Sequence, residues 1–311
     1  MTRALVTGAG GFIGKRLVEM LDASGWEVHA TVRPGSKAPE AFYRSEHIHI
    51  HEVDVGDPSA VRSLVRTVKP DHVFHLAASL VASGSASSLE SLVRSNVLGV
   101  ASMLDAIAET PVSSAIFVGS CLEYGPKPGA IVEIDLCEPI ESYGVTKLAG
   151  TLLAQAAGRT KELPIHIFRL FTPFGPGSQE GRLITEIVTR SLKNEPLLLS
   201  HPAVSRDFIY VDDVIDLFIE AVGRTDLPKG EIYNVGSGRS VTIEEAAATA
   251  ILETGSASSM VWNAAHQAAY DADVWEADMT KTLAAFAWRP KHSFAEGMRK
   301  TISAFKDSEK S

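Results

Sequence analysis

The sequence predicts an α/β protein, with a doubly wound parallel sheet followed by a smaller C-terminal α/β domain. Three observations carry that prediction. A glycine-rich turn, TGAGGFIG at 7–14, follows a short apolar run. Short apolar runs then alternate with helix-periodic stretches as far as residue 171. Beyond that point, Pro- and Gly-rich loops cut the chain into shorter elements. At 311 residues, 45% hydrophobic and 22% charged, the chain is long enough for a large core and two lobes.

Composition also excludes several classes. The formal net charge is −9 and no Lys/Arg stripe is present, which argues against a nucleic-acid partner. Cys121 and Cys137 are the only cysteines, too few for a disulfide framework and not spaced as a CxxC pair. No apolar run approaches the roughly 18 residues of a membrane span. The N-terminus enters a strand pattern directly, so the protein reads as cytoplasmic, with no membrane partner.

Ala4–Thr7 forms the first buried strand, Gly8, Gly10 and Gly11 the turn, and Phe12 to about Ser24 a helix. The spacing Gly8-x-x-Gly11-x-x-Gly14 lets backbone approach a pyrophosphate and lets helix pack on strand. Free N–H groups at the helix start, around Phe12 and Ile13, complete a Rossmann dinucleotide site. Glu27–Arg33 is the second strand. NAD sites usually end this strand in Asp or Glu, for the ribose 2′-hydroxyl. Here it ends Val32-Arg33, and a guanidinium suits a 2′-phosphate, with Lys37 near enough to assist. NADP(H) is therefore favoured, with NAD(H) possible. HIHEVDVGD (49–57) carries the third strand into Asp54-Val55, where a carboxylate suits the adenine amino group. PDHVFHLAA (70–78) is the fourth, with Leu76, Ala77 and Ala78 at the cofactor. His72 and His75 read as structural, without a third metal-like partner, and no metal is expected. The serine-rich 79–91 is a loop. Leu92–Glu109 is a helix burying Asn96, whose amide needs partners around the cofactor and active site. SSAIFVGS (113–120) is the fifth strand.

Ser120 thus stands at the C-terminal end of a parallel strand, where open α/β sheets bind ligands. ESYGVTKLAG (141–150) follows as a helix start, with Tyr143 and Lys147 one turn apart on one face. An ammonium beside a phenol favours the phenolate. A hydroxyl, a phenol and an ammonium around one carbonyl suit hydride chemistry on a nicotinamide cofactor. Ser120 would hold the substrate oxygen, Tyr143 would move its proton, and Lys147 would bond the nicotinamide ribose.

TGAGGFIG (7–14), HLAA (75–78), GSCLEYG (119–125), YGVTK (143–147) and RDFIYVDDV (206–214) stand in family order, as do IYNVGSG (232–238) and AWRP (287–290). Through them the chain resembles the extended short-chain dehydrogenase/reductases, in the nucleotide-sugar epimerase/dehydratase/reductase branch. The resemblance implies an NAD(P) domain, a C-terminal substrate-binding domain and a nucleotide-linked sugar substrate. It places Ser120, Tyr143 and Lys147 on the catalytic positions, Tyr124 on an aromatic that touches the sugar, and Arg206 on a diphosphate contact. It also implies a homodimer through the helices at 92–109 and 145–158.

The departures from that pattern bear on the reaction. The usual Asn of the sixth strand is Thr172, also a substrate-binding position. No arginine stands seven to ten residues before Asp278, so that phosphate contact is either missing or supplied elsewhere, by Arg182 or Lys193. Dehydratases carry an Asp-Glu pair beside the active hydroxyl, whereas Cys121-Leu122-Glu123 follows Ser120 here. Glu123 is one displaced acid, lining the pocket or pointing outward. The reading is an NADPH-dependent reduction of an NDP-4-keto-6-deoxyhexose at C4. The alternatives are an NAD-dependent NDP-sugar 4-epimerase, a nucleotide-sugar or small-molecule dehydrogenase, and, least favoured, a catalytically silent NADP-binding protein.

In the second lobe, Ile165–Phe171 is the sixth strand, and TPFGPGSQEGR covers the substrate. Arg182 opens a helix at Leu183–Leu192, and EPLLLS is a strand. Asp212 and Asp213 cap the next helix. Thr242 and Glu245 open another as a capping pair, and two helices surround Trp288 in 278–305. Trp262, Trp275 and Trp288 read as core or interface. The expected division is 1–170 plus about 206–240 for the cofactor domain, and 171–205 plus 241–311 for the substrate lobe.

Overall fold

Apolar runs rich in β-branched residues alternate with amphipathic helices, and the elements follow that alternation. The computed structural model describes residues 1–80, 88–265 and 274–308. In chain order these are β1 (Arg3–Thr7), α1 (Phe12–Ala23), β2 (Glu27–Val32), β3 (Ile48–Glu52), α2 (Pro58–Val68), β4 (His72–His75) and α3 (Leu89–Val93). Next come α4 (Gly99–Glu109), β5 (Ser114–Ser120), β6 (Ala130–Ile131), α5 (Ser142–Thr160), β7 (Ile165–Leu170), β8 (Thr172–Phe174) and α6 (Leu183–Leu192). The chain continues with β9 (Leu197–Leu198), β10 (Ser205–Tyr210), α7 (Val211–Val222), β11 (Glu231–Val235), β12 (Ser240–Thr242) and α8 (Ile243–Thr254). It closes with β13 (Met260–Val261), β14 (Glu276–Ala277), α9 (Thr280–Ala285) and α10 (Phe294–Ser308).

The main sheet has seven strands in the order β11-β7-β5-β4-β1-β2-β3. The ladders from β3 through β2, β1 and β4 to β5 are all parallel. Strand order reverses between β1 and β4, and the glycine turn follows β1 there, so backbone and helix ends converge at a switch point. The predicted doubly wound α/β class is what the chain adopts. One core unites Leu5, Val73, Ala115 and Ile167 of the strands with Val61, Leu64, Val65, Met103 and Ile107 of α2 and α4. Leu17, Val18 and Leu21 of α1 are also buried.

The chain divides into one unit of 1–123, 142–169 and 215–233 and a second of 124–141, 170–214 and 234–311. This differs from the expected division at three places, 124–141, 206–214 and 234–240. Residues 124–141 join the second unit because β6 pairs with β14, Ile131 opposite Ala277. Residues 206–214 join it because β10 pairs with β8 and β12. The second unit has its own core, with Phe174, Val188, Phe208, Ala247 and Met298 among its members. Trp275 and Trp288 are buried, and Trp262 packs against that core.

Three local expectations need revision. The helix expected over Leu92–Glu109 is interrupted by a π-helical turn at Arg94–Leu98, which carries the buried Asn96. Asp213 does not cap α7. Its carboxylate is fully buried and accepts from the Lys291 and His292 N–H groups at 3.0 and 3.1 Å and lies 2.9 Å from His292 Nδ1. Thr242 does cap α8, accepting from Glu245 N at 3.0 Å, but the Glu245 carboxylate accepts from Arg239 instead of closing the box. Part of the serine-rich loop (81–87) and part of the segment before Asp278 (266–273) lie outside the described residues.

His75 ends β4. It is buried, with Nδ1 3.0 Å from Thr7 Oγ1. Burial, and secondarily the Lys147 charge, pushes its pKa down from 6.5 to about 3. Between these values the unfolded chain binds a proton that the folded chain refuses, so stability is full above about pH 6.5 and falls as pH drops. Urea unfolding at pH 7, 6 and 5 should show this, and His75→Gln should flatten the wild-type acid slope by up to about 1.4 kcal/mol per pH unit.

Candidate active site

The glycine turn leaves no space for a side chain at Gly8 or Gly14. Gly8 has φ +69°, and a Cβ there would lie 2.8 Å from the Ala77 backbone. A Cβ on Gly14 would strike the Gly8 carbonyl. Gly11 N donates to Gly8 O at 3.0 Å, tightening the turn. Gly11 caps α1 with no side-chain bond, and the first turn of α1 holds no acid. Phe12 and Ile13 therefore begin a helix whose end is chemically open to an anion. Leu76, Ala77 and Ala78 run beside this turn, with Ala77 N donating to Thr7 Oγ1 at 3.2 Å.

Arg33 follows β2 and is exposed, its Nη2 3.4 Å from Ser79 Oγ. No acid stands at that strand end. On the neighbouring strand, however, Glu52 is in register with Val32 and accepts from Gly35 N at 3.2 Å. The sequence reading missed this carboxylate, because strand register alone brings it near. Asp54 is already engaged, accepting from Arg94 Nε and from Gly56 N, both at 2.8 Å. Burial works against its charge, but the Arg94 and Gly56 bonds outweigh it and hold the carboxyl below its ordinary pKa. Val55 is buried against Gly99.

Asn96 braces the segment after β4 against α5. Its Oδ1 accepts from Ser79 N at 2.9 Å, and its Nδ2 donates to Ser79 O and Thr146 Oγ1 at 3.2 and 3.1 Å. Thr146 stands between Tyr143 and Lys147 on α5, so this amide fixes that helix against Ser79, four residues beyond β4. A Cβ on Gly150 would lie 2.5 Å from Asn96 O, so α5 is held close.

Ser120 ends β5, nearly buried, and its Oγ accepts from Leu122 N at 3.2 Å. Glu123 neither lines the pocket nor points outward. It is fully buried and accepts from Ser120 N at 2.8 Å, Thr151 Oγ1 at 3.0 Å and Arg169 Nε at 2.7 Å. This acid therefore ties the turn after β5 to α5 and β7. Lys147, 7% exposed, donates to Val118 O at 2.5 Å. Burial lowers its pKa from 10.5, and the Glu123 charge offsets part of that. The predicted Ser120, Tyr143 and Lys147 thus stand on two elements, β5 and α5, that Lys147 and the turn after β5 cross-link.

The second unit holds the remaining predicted residues. Tyr124 is fully buried and donates to Asn234 Oδ1 at 2.7 Å, so the expected sugar contact is replaced by a core hydrogen bond. Thr172 is half-buried on β8, in register with Phe208. Arg182 is exposed at the start of α6. Arg206 is half-buried on β10, and its Nη1 donates to Ser205 O at 2.8 Å. The neighbouring Asp207 is fully buried and accepts from the N–H groups of Ser237, Gly238 and Ala277 at 2.6, 3.0 and 3.1 Å.

Removing one partner of the Glu123–Arg169 pair should leave a buried charge. Glu123→Gln is expected to lose about 3–5 kcal/mol in urea unfolding, and Glu123→Leu with Arg169→Met should recover most of it.

The NAD dependent epimerase/dehydratase family matches residues 4–236. A UDP-glucuronate 4-epimerase of Thermodesulfobacterium geofontis is 26% identical, over 98% of this chain and 96% of its own. A dTDP-glucose 4,6-dehydratase of Streptomyces antibioticus is 28% identical, over 98% and 92%. The crystal structure of Thermus thermophilus UDP-glucose 4-epimerase in complex with NAD is similar with a TM-score of 0.86 and 27% identity, over 98% of this chain and 99% of that one. By this match and by its fold, the chain belongs to the NAD dependent epimerase/dehydratase family, enzymes of the extended short-chain dehydrogenase/reductase type.

Proposed function

We propose that the protein reduces the C4 ketone of an NDP-4-keto-6-deoxyhexose with NADPH. The observation that carries this reading is the set of Ser120, Tyr143 and Lys147 on a cross-linked strand and helix, with Glu123 withdrawn into an ion pair. A dehydratase needs acids beside the active hydroxyl, and the one acid in that turn is already committed.

The side-chain-free cradle of Gly8 and Gly14 and the uncapped start of α1 fit a dinucleotide pyrophosphate. A nicotinamide cofactor, when bound, supplies the hydride. Ser120 Oγ donates to the ketone oxygen and polarises it. Tyr143 gives that oxygen its proton as the carbinol forms. Lys147 keeps the phenol acidic through its charge and orients the ribose. Arg206, and Arg182 from its exposed place on α6, are proposed to meet the diphosphate, since a guanidinium matches phosphate oxygens. Arg33 is proposed to pair with the 2′-phosphate. The exposed Val145, Leu152 and Leu153 on α5 support pairing of two copies through that helix.

A second reading, NAD-dependent 4-epimerisation of an NDP-sugar, is favoured by Glu52. Its carboxylate beside the end of β2 offers an acceptor for a ribose hydroxyl. The 4-epimerase names among the relatives agree with it.

The test is an absorbance assay of reduced nicotinamide with a panel of NDP-4-keto-6-deoxysugars, the product read by NMR. Stoichiometric consumption of NADPH with a new C4 carbinol supports the reductase. NAD released on denaturation, with no net consumption, sinks it in favour of the epimerase. Tyr143→Phe should lower kcat by about 10²–10⁴ with NADPH binding retained. Arg33→Ala should raise the KM for NADPH by about tenfold and leave that for NADH nearly unchanged, as a lost charged hydrogen bond predicts.

A further inference from the structure

The outer strands of the sheet carry a second group of chemically capable side chains. β2 and β3 pair with His29 opposite His49 and Thr31 opposite His51. Residues two apart on a strand share a face, so Glu27, His29, His49 and His51 project together. The alternate residues of β2, Val28, Ala30 and Val32, are buried on the other face. Glu27 Oε1 lies 3.0 Å from His29 Nε2 and 3.8 Å from His49 Nε2, and one possible ligand atom from each of the three residues falls within 4.8 Å of the other two. The His29 and His49 rings are 4.8 Å apart between centroids.

The contacts of Glu27 with His29 and Arg3 do not account for the placing of His49. His49 Nε2 is beyond hydrogen-bond reach of the carboxylate yet turned toward it. A tetrahedral ion with bonds of about 2.0–2.1 Å separates its ligand atoms by about 3.3 Å, a spacing that the two measured distances bracket. We propose that Glu27, His29 and His49 form a binding site for a divalent transition-metal ion of the zinc type.

The donor set selects the ion. Two imidazoles and one carboxylate suit zinc, nickel or copper, whereas calcium and magnesium prefer oxygen throughout. His51 supplies the outer support that such sites use. Its Nε2 lies 2.9 Å from His29 Nδ1, so when His29 Nδ1–H donates there, His29 Nε2 presents its lone pair to the ion. The same contact serves the metal-free state with the tautomers exchanged, His51 donating to His29 and His29 Nε2 donating to Glu27. Arg3 Nε, 3.1 Å from Glu27 Oε1, holds the carboxylate in place. With the His49 side chain 46% exposed, the fourth position opens to solvent. The bound ion ties edge strand β3 to β2, four residues before Arg33.

The test uses the full chain stripped with EDTA, then titrated with zinc ions by calorimetry and followed by thermal unfolding. One ion per chain is expected, with a raised Tm. His49→Ala should weaken zinc at least tenfold, and His51→Phe about ten- to a hundredfold as an outer partner. His201→Ala, exposed in the second unit, should bind like the wild type. Circular dichroism and the metal-free Tm check that each variant folds, and His49→Gln replaces His49→Ala if that variant does not. No uptake by the wild type, or equal uptake by folded position-49 variants, overturns the assignment.

Discussion

The buried ion pair of Glu123 and Arg169 decides where the proposed catalytic residues can stand. Arg169 comes from β7, Glu123 from the turn after β5, and Thr151 from α5, so one carboxylate joins three elements. It also accepts the Ser120 N–H, which fixes the last residue of β5. Stability alone is a poor reason for such a pair, since desolvation of both charges consumes most of the attraction and an apolar pair of similar volume would do as well. The geometry it imposes is a better one. Its charge also acts on Lys147, opposing the burial that lowers that lysine's pKa and so favouring the ammonium. One acid therefore both positions the hydroxyl and sustains the cation that the proposed chemistry needs.

A second constraint lies at the reversal of strand order. Gly8 and Gly14 are required by contacts, with Ala77 and with each other, as much as by any ligand. The π-helical turn around Asn96 belongs to the same construction. A regular helix through 94–98 would aim that residue differently, whereas here one amide joins Ser79, beyond β4, to α5. Sites held by strands and helices with locked rotamers are more exact than sites held by loops, and every proposed catalytic group stands on such an element.

Much of this was legible in the sequence. The alternation of apolar runs and helix patterns, the glycine spacing and the Tyr143/Lys147 pair all express local rules, and local rules survive folding. What escaped depends on register or long-range pairing. Glu123 could not be paired with Arg169 by spacing, because 46 residues separate them. Tyr124 was read by its motif position, but its hydroxyl is spent on Asn234, 110 residues away. The assignment of 124–141 and 206–214 failed for the same reason, since a two-residue ladder and a short sheet leave little periodic trace. The alternation EVH in β2 and HIHIHE through β3 was visible, yet it takes the His29–His49 register to turn it into a constellation.

The acids share one logic that explains the division of labour. Glu123, Asp207 and Asp213 all fall in motifs through which the chain resembles its family, and all three are fully buried. Each spends its oxygens on N–H groups or side chains of distant segments: Glu123 on Arg169, Asp207 on 237–238 and 277, and Asp213 on 291–292. A carboxylate so enclosed cannot reach a substrate, and burial raises the Asp207 pKa even against its hydrogen bonds. These motif acids are thus tethers that close loops within each unit. Proton transfer in the proposed reaction then falls to a phenol, whose partner Lys147 is held by a backbone carbonyl and not by a competing carboxylate. That choice suits hydride chemistry at a carbinol carbon, where one proton must follow one hydride and no second acid is required.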